Sequence, residues 1–238
     1  MVFVDFSNPF LRGAFPVWLA GMGQQHGGLR ASVAALAARS RSAEVAEAVA
    51  GSRPPRPLAA VLDIDEVLLC NTHLNGFAAP AGAQGGAPVD FHVADFFADP
   101  ASGERWGRAD TSDPPIPGAL ELLRELVRCG VQPVFVTGRT EAVRDVTIAD
   151  FRRAGFVGGA GAPLSAPALA PGPESVLHMV PDAEAPPPGA SIRPFKEAQR
   201  AAVAKDRRIF LVVGDQVSDL GQHGDVQVLM PHPFYFTP

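Results

Sequence analysis

Short apolar segments alternate with helical patterns along most of this chain, and that alternation limits the fold more than any other feature. The apolar runs are bounded by Gly- and Pro-containing stretches, so we interpret them as buried strands. Strands that alternate with helices predict an α/β domain with a parallel sheet covered by helices on both faces. The predicted strands are 58–64, 131–136, 209–213 and 226–230, with a short apolar segment at 176–180, and the predicted helices are 29–50, 119–128, 141–154 and 195–204.

Length and charge narrow the class of protein. With 238 residues, of which 47% are hydrophobic, the chain fits one α/β domain with a modest insertion better than two independent domains. The net charge is −5 and no basic stripe occurs, which argues against nucleic acid as a general partner. A small phosphorylated substrate needs only local positive charge and therefore fits this composition.

The N-terminal stretch is hydrophobic but differs from a signal peptide. Asp5 and Arg12 interrupt it, and no basic region precedes its apolar residues. The apolar stretch at 13–22 is shorter than the ~20 residues that span a bilayer. We therefore expect a soluble, cytoplasmic protein without a membrane segment, and an unrecognised export signal is the alternative.

Two acidic residues, Asp63 and Asp65, stand at the end of the first predicted strand. Ligands of parallel sheets bind beyond the carboxyl ends of the strands, so polar residues at these ends are candidates for a site. Two positions apart, these carboxylates would share one face of an extended chain, and a site that holds both normally supplies a cation. The alternative is that one caps a helix or turn and the other is solvated.

Thr137, Gly138 and Arg139 follow the second predicted strand. At a strand-to-helix junction, the threonine hydroxyl and the neighbouring backbone N–H groups can bind an anion at the helix N-terminus. The same pattern is also typical of simple helix capping by the threonine oxygen.

A second acidic pair, Asp215 and Asp219, follows the most apolar strand. The two residues are four positions apart and share a helical face if a helix begins at Gln216. Such a pair suits Mg²⁺, a hard cation that prefers oxygen ligands, although capping is again the alternative. Gly214 indicates that another group approaches the backbone closely at this point.

Lys196 opens the helix before that strand, where a positive charge opposes the helix dipole. A nearby phosphate or carboxylate would explain the lysine, and a solvated side chain is the alternative. Taken together, the acidic pairs, the threonine and the lysine supply what phosphoryl transfer needs. These requirements are a nucleophile, a metal site, groups that hold the migrating oxygens and an acid for the leaving group.

The ordered set resembles the motifs of haloacid dehalogenase (HAD) superfamily phosphatases, from about residue 58 to the C-terminus. The motifs are VLDIDEV (61–67), FVTGR (135–139), Lys196 and VVGDQVSD (212–219). Within the superfamily, the chain looks most like class IIIB, the acid phosphatases related to bacterial outer-membrane phosphatases and plant vegetative storage proteins. That narrower resemblance is carried by DIDEVLLCN (63–71), TGR (137–139), FKEAQR (195–200), GDQVSDL (214–220) and PHPFYFTP (231–238).

The resemblance implies a magnesium-dependent phosphomonoesterase with a Rossmann-like parallel sheet, which hydrolyses small organic phosphates through a phosphoaspartate. Asp63 would attack phosphorus and also ligate Mg²⁺. Asp65 would protonate the leaving alcohol and later deprotonate the hydrolytic water. Its backbone carbonyl would also bind the metal.

The remaining motifs carry over in the same way. Thr137 and the N–H of Gly138 would hold phosphoryl oxygens, and Lys196 would offset the negative charge. Asp215 would complete the metal site, with Asp219 as a direct or water-mediated ligand.

The resemblance also suggests how the chain is organised. We expect an N-terminal helical segment, 1–57, packed on a HAD-like core, 58–238, with a small cap insertion at about 72–116. The insertion is rich in Gly and Ala, and its Phe91 and Trp106 would either stack on an aromatic leaving group or pack within the cap. Val67 stands where a threonine is usual, which would loosen the turn without removing a catalytic group.

Two other functions remain open on the same residues. A phosphotransferase would pass the aspartyl phosphate to an alcohol instead of water, after an identical first half-reaction. A storage or binding protein on an inactivated scaffold would lack the nucleophile, whereas Asp63 and its partners are present here.

Overall fold

A five-stranded parallel sheet forms the centre of the computed structural model, which describes residues 28–70, 113–184 and 191–230. Its strands are β1 (Leu58–Leu62), β2 (Gln132–Thr140), β3 (Leu177–Val180), β4 (Arg208–Gly214) and β5 (Val226–Leu229). Their order across the sheet is β3-β2-β1-β4-β5, and each neighbouring pair is parallel. The predicted α/β, Rossmann-like class is confirmed.

Helices within the described ranges fall close to the predicted segments. They are α1 (Gly28–Ala50), α2 (Ala119–Arg128), α3 (Arg144–Arg153) and α4 (Arg193–Asp206), with short 3-10 turns at Glu141–Val143, Ala166–Leu169, Asp182–Glu184 and Val217–Asp219. Gly130 follows α2 with a φ of 68°, a left-handed conformation that a glycine adopts without strain and that ends the helix as predicted.

Alternate side chains of β1 build a core on both faces of the sheet. Leu58, Ala60 and Leu62 belong to the larger apolar cluster, which also contains buried residues of α1, α2 and α3. Ala59 and Val61 point to the other face, where α4 packs through Phe195, Val203 and Ala204. This alternation follows from strand geometry, and burial on both faces explains why β1 is apolar throughout.

The second strand runs longer than predicted and is irregular at its end. Val136 pairs with His178 and Thr140 with Val180, so four residues of β2 advance against two of β3. The extra residues leave the regular ladder at Thr137, Gly138 and Arg139. Bulges of this kind re-aim side chains, and this one lies in a predicted site motif.

Several predicted features lie outside the described residues. They are residues 1–27 of the N-terminal segment, most of the insertion at 72–116 including Phe91 and Trp106, and the PHPFYFTP ending. Among the helices that are described, none has the length and apolar character needed to cross a membrane.

Candidate active site

The carboxyl ends of β1 and β4 lie side by side, because the direction in which the chain crosses the sheet reverses between them. Asp63 follows β1, and its backbone N–H donates to the carbonyl of Val213 on β4 at 2.9 Å. Asp215 follows β4 directly. Two residues that are far apart in the sequence therefore meet at the crevice where α/β sheets bind ligands.

Three buried carboxylates gather at this crevice. One oxygen of each of Asp63, Asp215 and Asp219 lies within 4.8 Å of the corresponding oxygens of the other two. The ammonium group of Lys196 lies 3.3 Å from Asp63 Oδ2 and forms an ion pair with Asp219 Oδ1. These contacts explain a lysine in the first turn of α4, where the helix dipole alone would disfavour it.

The cluster contains three carboxylates and one lysine. Burial has the largest effect on the pKa values of Asp63, Asp215 and Lys196. Burial raises the pKa of Asp63 to about 7, although the charge of Lys196 acts in the opposite direction. Burial and the charge of Asp63 also raise the pKa of Asp215 well above its usual range. Burial lowers the pKa of Lys196, but the neighbouring carboxylates more than offset this and raise it, so the lysine is charged.

Local hydrogen bonds orient the second acidic pair. Asp219 accepts a hydrogen bond at Oδ2 from the backbone N–H of Gln216 at 2.9 Å, which closes a capping box around the 3-10 turn. The side-chain amide of Gln216 donates to Asp215 Oδ2 at 2.8 Å. The turn thus fixes both carboxylates before any ligand arrives, although it is a single 3-10 turn rather than the helix considered from the sequence.

The chemistry of this donor set fits a divalent cation. Asp63 Oδ1 is buried and, within the described ranges, accepts no hydrogen bond. An anionic oxygen in that position is costly unless a cation or donor reaches it. Hard oxygen ligands gathered in this way are those that Mg²⁺ and related ions prefer.

Asp65 is not one of these three carboxylates and forms an ion pair of its own. Its carboxylate binds Arg139, with Nη2 at 2.7 Å from Oδ1 and Nε at 3.1 Å from Oδ2. Asp63 therefore pairs with Lys196, and Asp65 pairs with Arg139. After Asp65 the chain turns back sharply, and the N–H groups of Leu68 and Leu69 donate to the carbonyl of Ile64.

The predicted phosphate-binding motif lies in the bulge of β2. Thr137 is fully buried, and its Oγ1 accepts a hydrogen bond from the backbone N–H of Arg139 at 3.1 Å. With a lone pair engaged, the threonine hydroxyl can still donate its proton. Gly138 has space for a Cβ, which would lie 3.8 Å from Ile192 Cγ1, so space alone does not require glycine here.

Three side chains near the site had no role assigned from the sequence. The position of Arg139 at the end of a predicted buried strand could have indicated its role, because a buried arginine requires carboxylate partners. Arg200 lies four residues after Lys196 and shares its helical face, which was a weaker signal. Asp113, which binds Arg139 Nη2 at 2.8 Å, precedes two prolines in an irregular stretch and carried none.

Comparison with known proteins identifies one family. The sequence profile of HAD superfamily, subfamily IIIB (Acid phosphatase), matches residues 20–238. No curated protein sequence matches this chain.

Solved structures with a similar arrangement include two of the class C acid phosphatase from Bacillus anthracis. The first is 19% identical in sequence to this chain and has a TM-score of 0.49. The alignment covers 94% of this chain and 86% of that chain. The other, with tungstate bound, shares 19% identity with a TM-score of 0.48, covering 92% and 84%.

Proposed function

This chain belongs to HAD superfamily subfamily IIIB, the acid phosphatases, and we propose that it is a magnesium-dependent phosphomonoesterase that works through a phosphoaspartate on Asp63. As a phosphatase it acts on small phosphorylated substrates. The observation that supports the finer proposal is the surroundings of Asp63. Its Oδ2 lies 3.3 Å from Lys196 Nζ, its Oδ1 is buried, and one of its carboxylate oxygens lies within 4.8 Å of an oxygen of each of two further carboxylates.

The metal would be held by Asp63, Asp215 and Asp219, together with the backbone carbonyl of Asp65. HAD phosphatases generally use a divalent metal, and Mg²⁺ suits a site built from a few carboxylates with room for water. When bound, the cation would offset the repulsion between the Asp63 carboxylate and the negative phosphoryl group.

Asp63 would form a bond to phosphorus through one carboxylate oxygen while the bond from phosphorus to the leaving oxygen breaks. Lys196 is charged and in contact with Asp63, so it would stabilise the added negative charge in the transition state. The hydroxyl of Thr137 and the N–H of Gly138 would donate to the phosphoryl oxygens.

Asp65 would serve both half-reactions. It would give its proton to the leaving alcohol oxygen in the first step and remove a proton from the attacking water in the second. Water oxygen then bonds to phosphorus, the bond to Asp63 breaks, and inorganic phosphate leaves. The site regains its starting protonation state.

The test is hydrolysis of a generic aryl phosphate by the full chain, with Mg²⁺ and after treatment with EDTA. Asp63→Asn keeps the shape of the side chain but removes the nucleophile, so kcat should fall by a factor of about 10⁴ or more. Asp145→Asn, an exposed aspartate on α3, is the matched control and should keep full activity. EDTA should abolish turnover and Mg²⁺ should restore it.

A second readout concerns the intermediate. Asp65→Asn should slow its hydrolysis, and the denatured protein should then gain the mass of one phosphoryl group. Full activity of Asp63→Asn would contradict the nucleophile, and turnover indifferent to EDTA would contradict the metal.

A further inference from the structure

Arg139 connects carboxylates from three separate parts of the chain. Its guanidinium group is fully buried and binds Asp65 through two nitrogen atoms, Asp113 at 2.8 Å and Asp150 at 3.6 Å. It also donates to Thr147 Oγ1 at 3.1 Å. Although burial alone would lower the pKa of Arg139, the charge of Asp65 raises it, so the group is permanently charged. Replacing a buried ionic network with apolar packing is often neutral or stabilising, so such a network is weak evidence of a purely stabilising role.

The contact with Asp113 ties this network to the base of the insertion. Leu69 forms an antiparallel bridge with Pro115, and the N–H of Ile116 donates to the carbonyl of Leu68 at 2.9 Å. The N–H of Cys70 donates to the carbonyl of Pro114 at 2.8 Å. The two ends of the insertion are thus held together at the sheet, and Asp113 stands at the point where the chain returns.

We propose that Arg139 is a positioning residue for Asp65, and that Asp113 holds Arg139 in place from the base of the insertion. The proposal rests on the proposed function, in which Asp65 protonates the leaving group. A two-point contact with a planar guanidinium sets both the position and the plane of a carboxylate. Proton transfer requires hydrogen-bond distance to the leaving oxygen, so a tilted Asp65 would lose part of its effect.

A further element holds the same arginine through its other terminal nitrogen, Nη1. Thr147 and Asp150 belong to α3, whereas Asp113 belongs to the end of the insertion. The guanidinium group is therefore held between α3 and the segment by which the chain returns to the core at Asp113. Removing either contact would let it rotate, and Asp65 would follow.

The experiment compares kcat/KM for an aryl phosphate and an alkyl phosphate. An aryl oxide leaves readily without a proton, whereas an alkoxide depends on protonation, so loss of positioning should affect the alkyl substrate more. For Arg139→Lys, which keeps the charge but not the two-point contact, we expect kcat/KM for the alkyl phosphate to fall at least about tenfold more than for the aryl phosphate. Asp113→Asn should change the ratio in the same direction, while Asp145→Asn on the surface of α3 should leave it unchanged.

An equal loss on both substrates, or no loss on either, would overturn the proposal, because a purely structural role does not distinguish leaving groups. If Arg139→Lys fails to fold, as judged by its thermal transition, Asp113→Asn decides the question by the same ratio. Failure of the proposed function would be seen separately, as an inactive wild-type protein or an active Asp63→Asn variant.

Discussion

Gly214 gives the side chain of Asp219 the space that it occupies. A Cβ added at Gly214 would overlap the Cβ and carboxylate of Asp219, which folds back over the end of β4. The close approach predicted from the glycine is therefore made by another residue of the same motif. A side chain at position 214 would therefore require the Asp219 side chain to shift from its place beside the other two carboxylates.

Substitution of Gly214 by Ala should consequently weaken metal binding. Displacing a ligand or its support typically lowers metal affinity about 10–100-fold, and we expect a loss in that range. Calorimetric titration with Mg²⁺ measures it directly. Gly138→Ala is the matched control for affinity, since its Cβ would make only an ordinary contact with Ile192. Unchanged affinity in Gly214→Ala would contradict the role of Asp219 as a ligand.

Most of the proposed site was recognisable from the sequence because its residues directly follow strands. Asp63 and Asp215 directly follow β1 and β4, so the positions of the strands in the sequence were enough to predict where these side chains lie. The contacts of Arg139 with Asp65 and with Asp113 were not predictable from the sequence. They depend on the bulge in β2 and on the position at which the chain returns from a long insertion. Neither leaves a periodic pattern.

At the scale of elements, α4 does more than cover the sheet. Lys196 and Arg200 lie one turn apart on the same face, and the lysine binds carboxylates. Arg200 instead donates to the backbone carbonyls of Ser218, Asp219 and Leu220, at 3.3, 2.7 and 3.3 Å. One helix face therefore contacts both the carboxylates of the cluster and the backbone of the turn that carries Asp219.

Arg200→Lys should loosen that turn, because a lysine presents a point charge and cannot reach three carbonyls at once. We expect the free energy of unfolding to fall by about 2 kcal/mol, the scale of hydrogen bonds to a charged group, with weaker Mg²⁺ binding. Arg193→Lys on the same helix is the control, because Arg193 is 47% exposed and its pair with Glu197 contributes about 0.5 kcal/mol or less. Equal effects of the two variants on chemical denaturation would contradict the argument.

Elements with strong local signals were predicted closely, and those set by tertiary contacts were not. The helix predicted at 119–128 is observed at Ala119–Arg128, where a glycine lies at each end. The second strand was expected to end at 136 but runs to Thr140, because an irregular pairing with β3 extends it. The helix predicted from 141 begins with a 3-10 turn, and the α-helix itself starts at Arg144.

At the scale of the whole molecule, one buried carboxylate links α1 to an arginine that lies much later in the sequence. Glu44 of α1 is 1% exposed and pairs with Arg53, Arg56 and Arg208, the last of which begins β4. Arg56 also donates to the carbonyl of Ala204 at the end of α4 at 2.9 Å. Hydrogen bonds from Arg56 lower the pKa of Glu44 below its usual range.

Glu44→Gln should therefore destabilise the protein by about 2 kcal/mol at neutral pH, because three arginines lose their common partner. A depressed folded-state pKa means that this stabilisation is present above the ordinary glutamate pKa of about 4.3 and is lost as the pH falls. The difference from wild type in urea unfolding should accordingly shrink on acidification. Glu47→Gln, 53% exposed beside the same arginines, should cost much less at every pH. A difference in the free energy of unfolding that grows as the pH falls would contradict the prediction.

The strand order carries a consequence for synthesis on the ribosome. β1 is made early but pairs on one edge with β4, which emerges only after the other helices and strands up to α4. Until then the nascent chain keeps an open strand edge in the middle of its future sheet, the kind of surface that recruits other chains. The same late segment carries Asp215 and Asp219, so the proposed site lacks two of its carboxylates until the strand that completes the centre of the sheet has been made.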